Sequence, residues 1–147
     1  MRRTLEWKSD EFGRALIPGA HDGRLLRYCY SEEQQSLEIK LASPTGRRVE
    51  VELQGVVEVN FRDLCNGSIT SSLFLWNVRL LPEGTWSAPN SGWGLLFGSR
   101  YASADVREVA ARIGLRYPKA HFVQLECSYG GALAAVCQKV ALYSDEP

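Results

Sequence analysis

Leu37-Glu38-Ile39-Lys40-Leu41-Ala42-Ser43-Pro44-Thr45-Gly46-Arg47-Arg48-Val49-Glu50-Val51-Glu52-Leu53 is the stretch that decides the fold. Leu37, Ile39 and Leu41 alternate with Glu38 and Lys40, and Val49, Val51 and Leu53 alternate with Glu50 and Glu52, the period of two of strands that bury one face. Between them Pro44 presets φ for a turn and Gly46 tolerates φ > 0, so the two runs fold back as a hairpin. Placing Leu41 opposite Val49 brings Ile39 to Val51 and Leu37 to Leu53 on the buried side, and Lys40 to Glu50 on the wet side.

Upstream, Leu25-Leu26-Arg27-Tyr28-Cys29-Tyr30 reads as an aromatic-rich strand joined to the hairpin by the polar loop Ser31 to Gln35. Downstream, Gln54-Gly55 is expected to turn the chain into Val56 to Phe61, with Val57, Val59 and Phe61 as its buried set. Leu25 to Asp63 is then four consecutive strands on short links, an antiparallel meander. Before it, Trp7, Phe12, Leu16 and Ile17 line one side of a short helix from about Ser9, limited by Gly13 and Pro18-Gly19, and His21-Asp22-Gly23 forms a turn. After it, Cys65-Asn66-Gly67-Ser68 is a turn, and Ile69 to Leu81 is apolar on both sides, as a central element would be.

Pro82 to Arg100 is the least regular part of the chain, with Gly84, Gly92, Gly94 and Gly98 interleaved with Trp86, Trp93 and Phe97. The spacing of Val106, Val109, Ala110 and Ile113 predicts one helix over Ser103 to Ile113, with Ser103 as cap, Asp105 at the positive end of the dipole and Gly114 as its close. A second hairpin joins Ala120–Ser128 to Ala132–Tyr143 about Tyr129-Gly130-Gly131. Ala132, Ala134, Ala135 and Ala141 there call for close packing, by the helix or by the run from Ile69. The expected class is α+β and mostly β: antiparallel meander sheets, forming a sandwich or a partly open barrel, with one packed helix, in a single domain over residues 1–147.

The 147 residues carry 17 Lys and Arg against 17 Asp and Glu, a net charge of zero with no basic stripe to follow a phosphate backbone, so no nucleic-acid partner is expected. No apolar h-region follows Met1-Arg2-Arg3-Thr4-Leu5-Glu6-Trp7-Lys8 and about 18 apolar residues nowhere run together, so the expectation is a cytoplasmic protein with no membrane partner. Cys29, Cys65, Cys127 and Cys137 are widely spaced and read there as small hydrophobes; outside the cell they would allow three disulfide pairings.

Candidate chemistry is sparse. His21-Asp22 has the form of a metal-binding pair, but the chain has two histidines, His21 and His121, and such a site draws several imidazoles together, so no metal and no cofactor are expected. At the turn, Asp22 has the simpler task of accepting a backbone N–H. A thiol with an imidazole base, Cys29 or Cys127 with His121, is the other arrangement; His121 and Cys127 share parity on one strand, which equally suits a buried histidine beside an inert thiol. Nucleophile elbow, phosphate loop and dinucleotide fingerprint are absent; Gly92-Trp93-Gly94 lacks the strand before and helix after that a fingerprint needs. Asn66-Gly67-Ser68 matches a glycosylation acceptor that a cytoplasmic chain does not use. Glu38, Glu50, Glu52 and Glu58 form an acidic exposed set, either a solvated sheet face or the complement of a basic partner. Trp86 and Trp93 either cap the open end of the sheet or anchor a partner.

The succession His21-Asp22, the strand Leu25 to Tyr30, Leu37 to Leu41, the Pro44–Gly46 turn and Val51-Glu52-Leu53-Gln54-Gly55-Val56 resembles small strand-rich bacterial immunity proteins of polymorphic toxin systems, over about the first 60 residues, with an echo in the His121–Tyr143 hairpin. The resemblance implies a non-catalytic single domain of a toxin–antitoxin pair that binds a cognate toxin and occludes its active site. On that expectation Trp86, Trp93, Glu38, Glu50, Glu52 and Glu58 are the partner-binding residues. The alternative from another class is a small-molecule binder or small enzyme with a pocket between sheet and helix that uses His121 and Cys127. Oligomeric state is open.

Overall fold

The computed structural model describes residues 2–79, 92–98, 100 and 103–145. In chain order the elements are β1 (Arg2–Thr4), β2 (Arg24–Ser31), β3 (Ser36–Ala42), β4 (Arg48–Arg62), β5 (Thr70–Asn77), α1 (Gly92–Phe97), α2 (Ser103–Arg116), β6 (His121–Cys127) and β7 (Ala132–Asp145). The fold is α+β and mostly β: one antiparallel sheet in the order β2-β3-β4-β7-β6-β5, with β1 added along β7. The β3–β4 hairpin has the register that alternation and turn chemistry predict, Leu37 with Leu53, Ile39 with Val51, Leu41 with Val49 and Lys40 with Glu50. Its turn is closed by the Gly46 N–H donating to the Ser43 carbonyl at 2.9 Å, with Gly46 at φ +86°.

The sequence expectation of four strands is corrected to three. Gln54-Gly55 does not reverse the chain; β4 runs through it for 15 residues. Gly55 sits at φ +63° and the ladder to β7 slips between Val56 and Glu58, so the strand kinks and takes up an extra residue where a turn was expected. Val56 consequently faces inward with Val59 and Phe61, whereas Val57, expected inside, faces the opposite layer.

All six strands from β2 to β7 send side chains into one inner core, including Leu25, Ile39, Val51, Leu73, Leu125 and Leu133. The sheet is open along most of its edges, but its two ends are drawn together at one corner. There Leu25 N–H donates to Ser68 at 2.9 Å, Gly67 to Leu25 at 2.6 Å, Asp22 to Thr70 at 2.9 Å and Thr70 to Gly23 at 3.0 Å. The architecture is one open antiparallel sheet whose two ends touch at that corner. β5 is thus a terminal strand, not a central one. It is apolar on both sides because Leu73 and Leu75 face the inner core while Trp76 packs into an outer one. Leu80 and Leu81, expected to continue it, lie outside the described residues.

The N-terminal segment forms no helix. Ser9 bridges to Ala15 around a turn, then Ala15 N–H donates to Leu73 at 2.7 Å and Leu75 N–H to Gly13 at 2.9 Å, so the segment lies extended along the outer edge of β5. Gly13, at φ +78°, crosses directly over the Trp76 indole; a Cβ there would stand 2.0 Å from Nε1. Ala15, Ile17 and Ala20 enter the inner core, and Phe12 and Leu16 are exposed.

The outer core lies under the helices. Trp93 is fully buried, stacks on Phe97 at 5.7 Å and meets Phe122 edge-on at 4.9 Å. Ala132 and Ala134 are the small residues that let α1 approach β7, and Gln124, 1 % exposed, accepts the Gly92 N–H at 2.7 Å. Asn60 donates to the Leu95 carbonyl at 2.7 Å, tying α1 to β4. α2 presents Val106, Val109, Ala110 and Ile113 to this core as its spacing predicts, but continues past Gly114 to Arg116. The Ser103 side chain, expected to cap it, lies outside the described set. Among the described residues no helix is long and apolar enough to cross a membrane.

Candidate functional site

α1 and α2 cover the outer surface of only half the sheet. The other half, made by β3, the first residues of β4 and the last of β7, has no described element over it, and its outward side chains are Glu38, Lys40, Glu50, Glu52, Ala141 and Tyr143. Register sets Glu38 opposite Glu52, Lys40 opposite Glu50, and Glu50 opposite Tyr143. Oxygens of Glu38, Glu50 and Glu52 come within 4.8 Å of one another.

These carboxylates are not a bare acidic patch, which corrects the sequence expectation. Arg2, delivered by β1 on the far side of β7, lies over the Tyr143 ring at 3.6 Å and reaches Glu52 at 2.7 Å and Glu50 at 3.0 Å. Lys40 stands 3.4 Å from Glu38 and 3.9 Å from Glu50, and Arg27 stands 4.0 Å from Glu38. Three part-buried carboxylates thus meet three exposed cations in one lattice. The hydrogen bond to Glu52 holds the Arg2 guanidinium above its usual range against a small desolvation cost, while burial, followed by the neighbouring Glu38, pushes Glu50 up. The three glutamates are the one group of described residues whose ligand atoms converge as a cation site would require, but their oxygens are already shared among Arg2, Lys40 and Arg27. Such a lattice suits exchange of ion pairs with a charged protein surface. A shallow hollow of about 70 Å³ opens beside it, lined by Leu26, Lys40, Arg48, Glu50, Tyr143 and Asp145.

No protein-family model, curated protein or solved structure matches the chain. The site therefore stands on its own geometry.

Glu58, grouped with the other glutamates by sequence, is separated from them in space. It lies in the covered half of β4 and pairs with Arg100, 2.9 Å away, just beyond α1. Trp93, expected to cap the sheet or anchor a partner, is fully buried in the outer core between Phe97 and Phe122. Trp86 lies outside the described residues.

His21 and Asp22 sit together at the closing corner. His21 Nδ1 donates to the Ser71 carbonyl at 2.8 Å and its Nε2 is 3.4 Å from Asp22, with both side chains exposed and Asp22 at φ +54°. Beside them a cleft of about 300 Å³ is lined by Asp10, Arg14, Leu16, His21, Ser71 and Leu73. Asp10 is weakly desolvated, but amide hydrogen bonds from Arg14 and Phe12 and the Arg14 guanidinium outweigh this and hold it below its usual range.

His121 and Cys127 are not brought together. They lie six residues apart on the side of β6 that faces away from the helices, about 20 Å along the strand. The cross-strand neighbours of His121 are instead Asn77 on β5 and the fully buried Cys137 on β7. Burial lowers the His121 pKa, raises that of Cys127 and pushes Cys137 up to about 12, so none of these thiols is held as a thiolate. Cys29 and Cys65 are exposed.

Sequence reasoning missed Arg2 and Tyr143. Alternation in the last hairpin marks Tyr143 as outward, but nothing local shows that a residue 48 positions before Glu50 crosses β7 to meet it.

Proposed function

We propose that the chain is a non-catalytic protein-binding domain that engages its partner through the uncovered sheet face bearing Glu38, Lys40, Glu50, Glu52 and Arg2, and that the partner is a bacterial toxin which the bound domain neutralises. The observation that carries the first part is the lattice of part-buried carboxylates and exposed cations on a sheet face that no described element covers. The apolar core packed under the sheet holds that face rigid. Its charges are ordered before binding, so little side-chain entropy is lost when a partner's cations and carboxylates replace the internal pairs. The second part rests on the immunity-protein resemblance.

The test is co-expression with the protein encoded beside this one, scored by rescue of host growth and by isolation of a complex. Glu50→Lys with Glu52→Lys is expected to abolish both while the chain stays folded, and Glu58→Lys, on the covered half, is expected to keep both. A stable complex that tolerates the double reversal removes the assigned face; failure of any complex to form with a toxic neighbour removes the toxin.

A further inference from the structure

β2 ends the sheet on the side away from β5. β3 pairs with it throughout, with a bulge between Leu25 and Arg27. On its other side the backbone hydrogen bonds reach Leu25, which exchanges them with Gly67 and Ser68, and stop there. From Arg27 to Ser31 alternate residues turn N–H and C=O outward, and no described backbone group meets them. Beyond the bulge this edge is lightly protected: from Arg27 to Ser31 it contains no proline, Arg27 is its one charged residue, and Cys29 and Tyr30 are exposed.

We propose that this edge pairs with the same edge of a second copy of the chain, antiparallel about a two-fold axis at Cys29, so that one sheet runs through both protomers. Charge complementarity selects this occupant and this direction. The start of β2 is basic, with Arg24 and Arg27, and the loop at its other end is acidic, with Glu32 and Glu33, all four exposed. Antiparallel pairing lays the basic start of each copy along the acidic loop of the other, whereas a parallel arrangement would set arginine against arginine. Around the axis, Tyr28 of one copy falls opposite Tyr30 of the other. Both rings already lean on Phe61, at 5.2 Å and 6.3 Å, so they enter the contact ordered. The interface is isologous and closes on itself; it draws on Arg27, which also stands beside Glu38, and leaves Arg2, Lys40, Glu50 and Glu52 free on both protomers.

Sedimentation equilibrium of the full chain across a concentration series tests this. The parent protein is expected to form a reversible dimer. Cys29→Lys, which opposes two ammonium groups at the axis, is expected to remain monomeric at concentrations where the parent is dimeric, with an unchanged circular dichroism spectrum. Reversing the loop with Glu32→Arg and Glu33→Arg is expected to weaken the dimer, and adding Arg24→Glu to restore it. In a Cys65→Ser background a short bismaleimide is expected to join Cys29 to Cys29. A parent that stays monomeric throughout, a dimer that survives Cys29→Lys, or charge reversals that do not compensate would overturn the proposal.

Discussion

Thr70→Val isolates the corner where the two ends of the sheet meet. The Thr70 side chain is fully buried, its hydroxyl donating to the Gly19 carbonyl at 2.6 Å and accepting the Gly23 N–H at 3.1 Å. Valine has the same shape without the hydroxyl, so packing is kept and both bonds are lost. The two backbone groups left behind are themselves buried, and the approach of Gly23 to Gly19 is so close that a Cβ on Gly23 would stand 2.4 Å from the Gly19 oxygen, leaving no room for water. Each stranded group costs about 1–3 kcal/mol, so the pair is expected to cost about 3 kcal/mol, a large part of the roughly 5–15 kcal/mol that holds a domain together. With a urea dependence of about 1–3 kcal/mol per molar, the unfolding midpoint followed by tryptophan fluorescence should fall by roughly 1–3 M. Thr70→Ser keeps the hydroxyl and should cost under about 1.5 kcal/mol. A Thr70→Val midpoint matching the parent's would refute the reasoning, because it would mean that the corner does not depend on these bonds.

The four thiols should divide cleanly under a maleimide at neutral pH, with Cys29 and Cys65 reacting in the folded state and Cys127 and Cys137 only after denaturation; rapid labelling of Cys127 would instead signal an activated thiol. Burial and Glu38 raise the Glu50 pKa, so the folded state holds that proton more tightly than the unfolded chain and stability is lost as pH rises through the carboxylate range. Glu50→Gln should therefore melt above the parent at neutral pH, with the difference closing as pH is lowered past the ordinary value of 4.5. His121 has the opposite sign: burial lowers its pKa, the unfolded chain takes the proton first, and stability falls as pH drops through 6.5. His121→Gln should flatten the melting temperature across that interval, measured by differential scanning calorimetry.

What was legible in the sequence was what neighbours decide. The β3–β4 register follows from alternation plus one Pro/Gly turn, and the apolar face of α2 follows from a spacing of three and four. Gly55 shows where local reasoning stops, because a glycine with φ > 0 serves a turn or a kinked strand equally well. Only the presence of β7 alongside, pairing with β4 on both sides of the kink, decides for the strand. The N-terminal segment was misread for a related reason. Phe12 and Leu16 have helical spacing, but the backbone of Gly13 to Ala15 finds its hydrogen bonds on the edge of β5, some 60 residues away in sequence. The Arg2 contribution to the charged face is equally non-local, since β1 exists only as an addition to β7.

The division between covered and uncovered sheet was, by contrast, written in the two longest strands. On β4 the outward residues Glu50, Glu52 and Gln54 give way after Gly55 to Val57, which packs in the outer core, and Asn60, which binds α1. On β7 they run from Ala132, Ala134 and Val136, packed in the outer core, to Lys139, Ala141 and Tyr143 beyond the same level. Small and apolar side chains mark where α1 belongs, and the change to glutamate, lysine and tyrosine marks the part that no described element covers; burying those charges carries a desolvation cost that only matched partners repay. A second protein that seats on this half must therefore bring charges of its own in register with Arg2, Lys40, Glu50 and Glu52. On the proposed binding role, reversing Glu50 and Glu52 is therefore expected to matter far more to binding than reversing Glu58, which lies on the covered half beside Arg100.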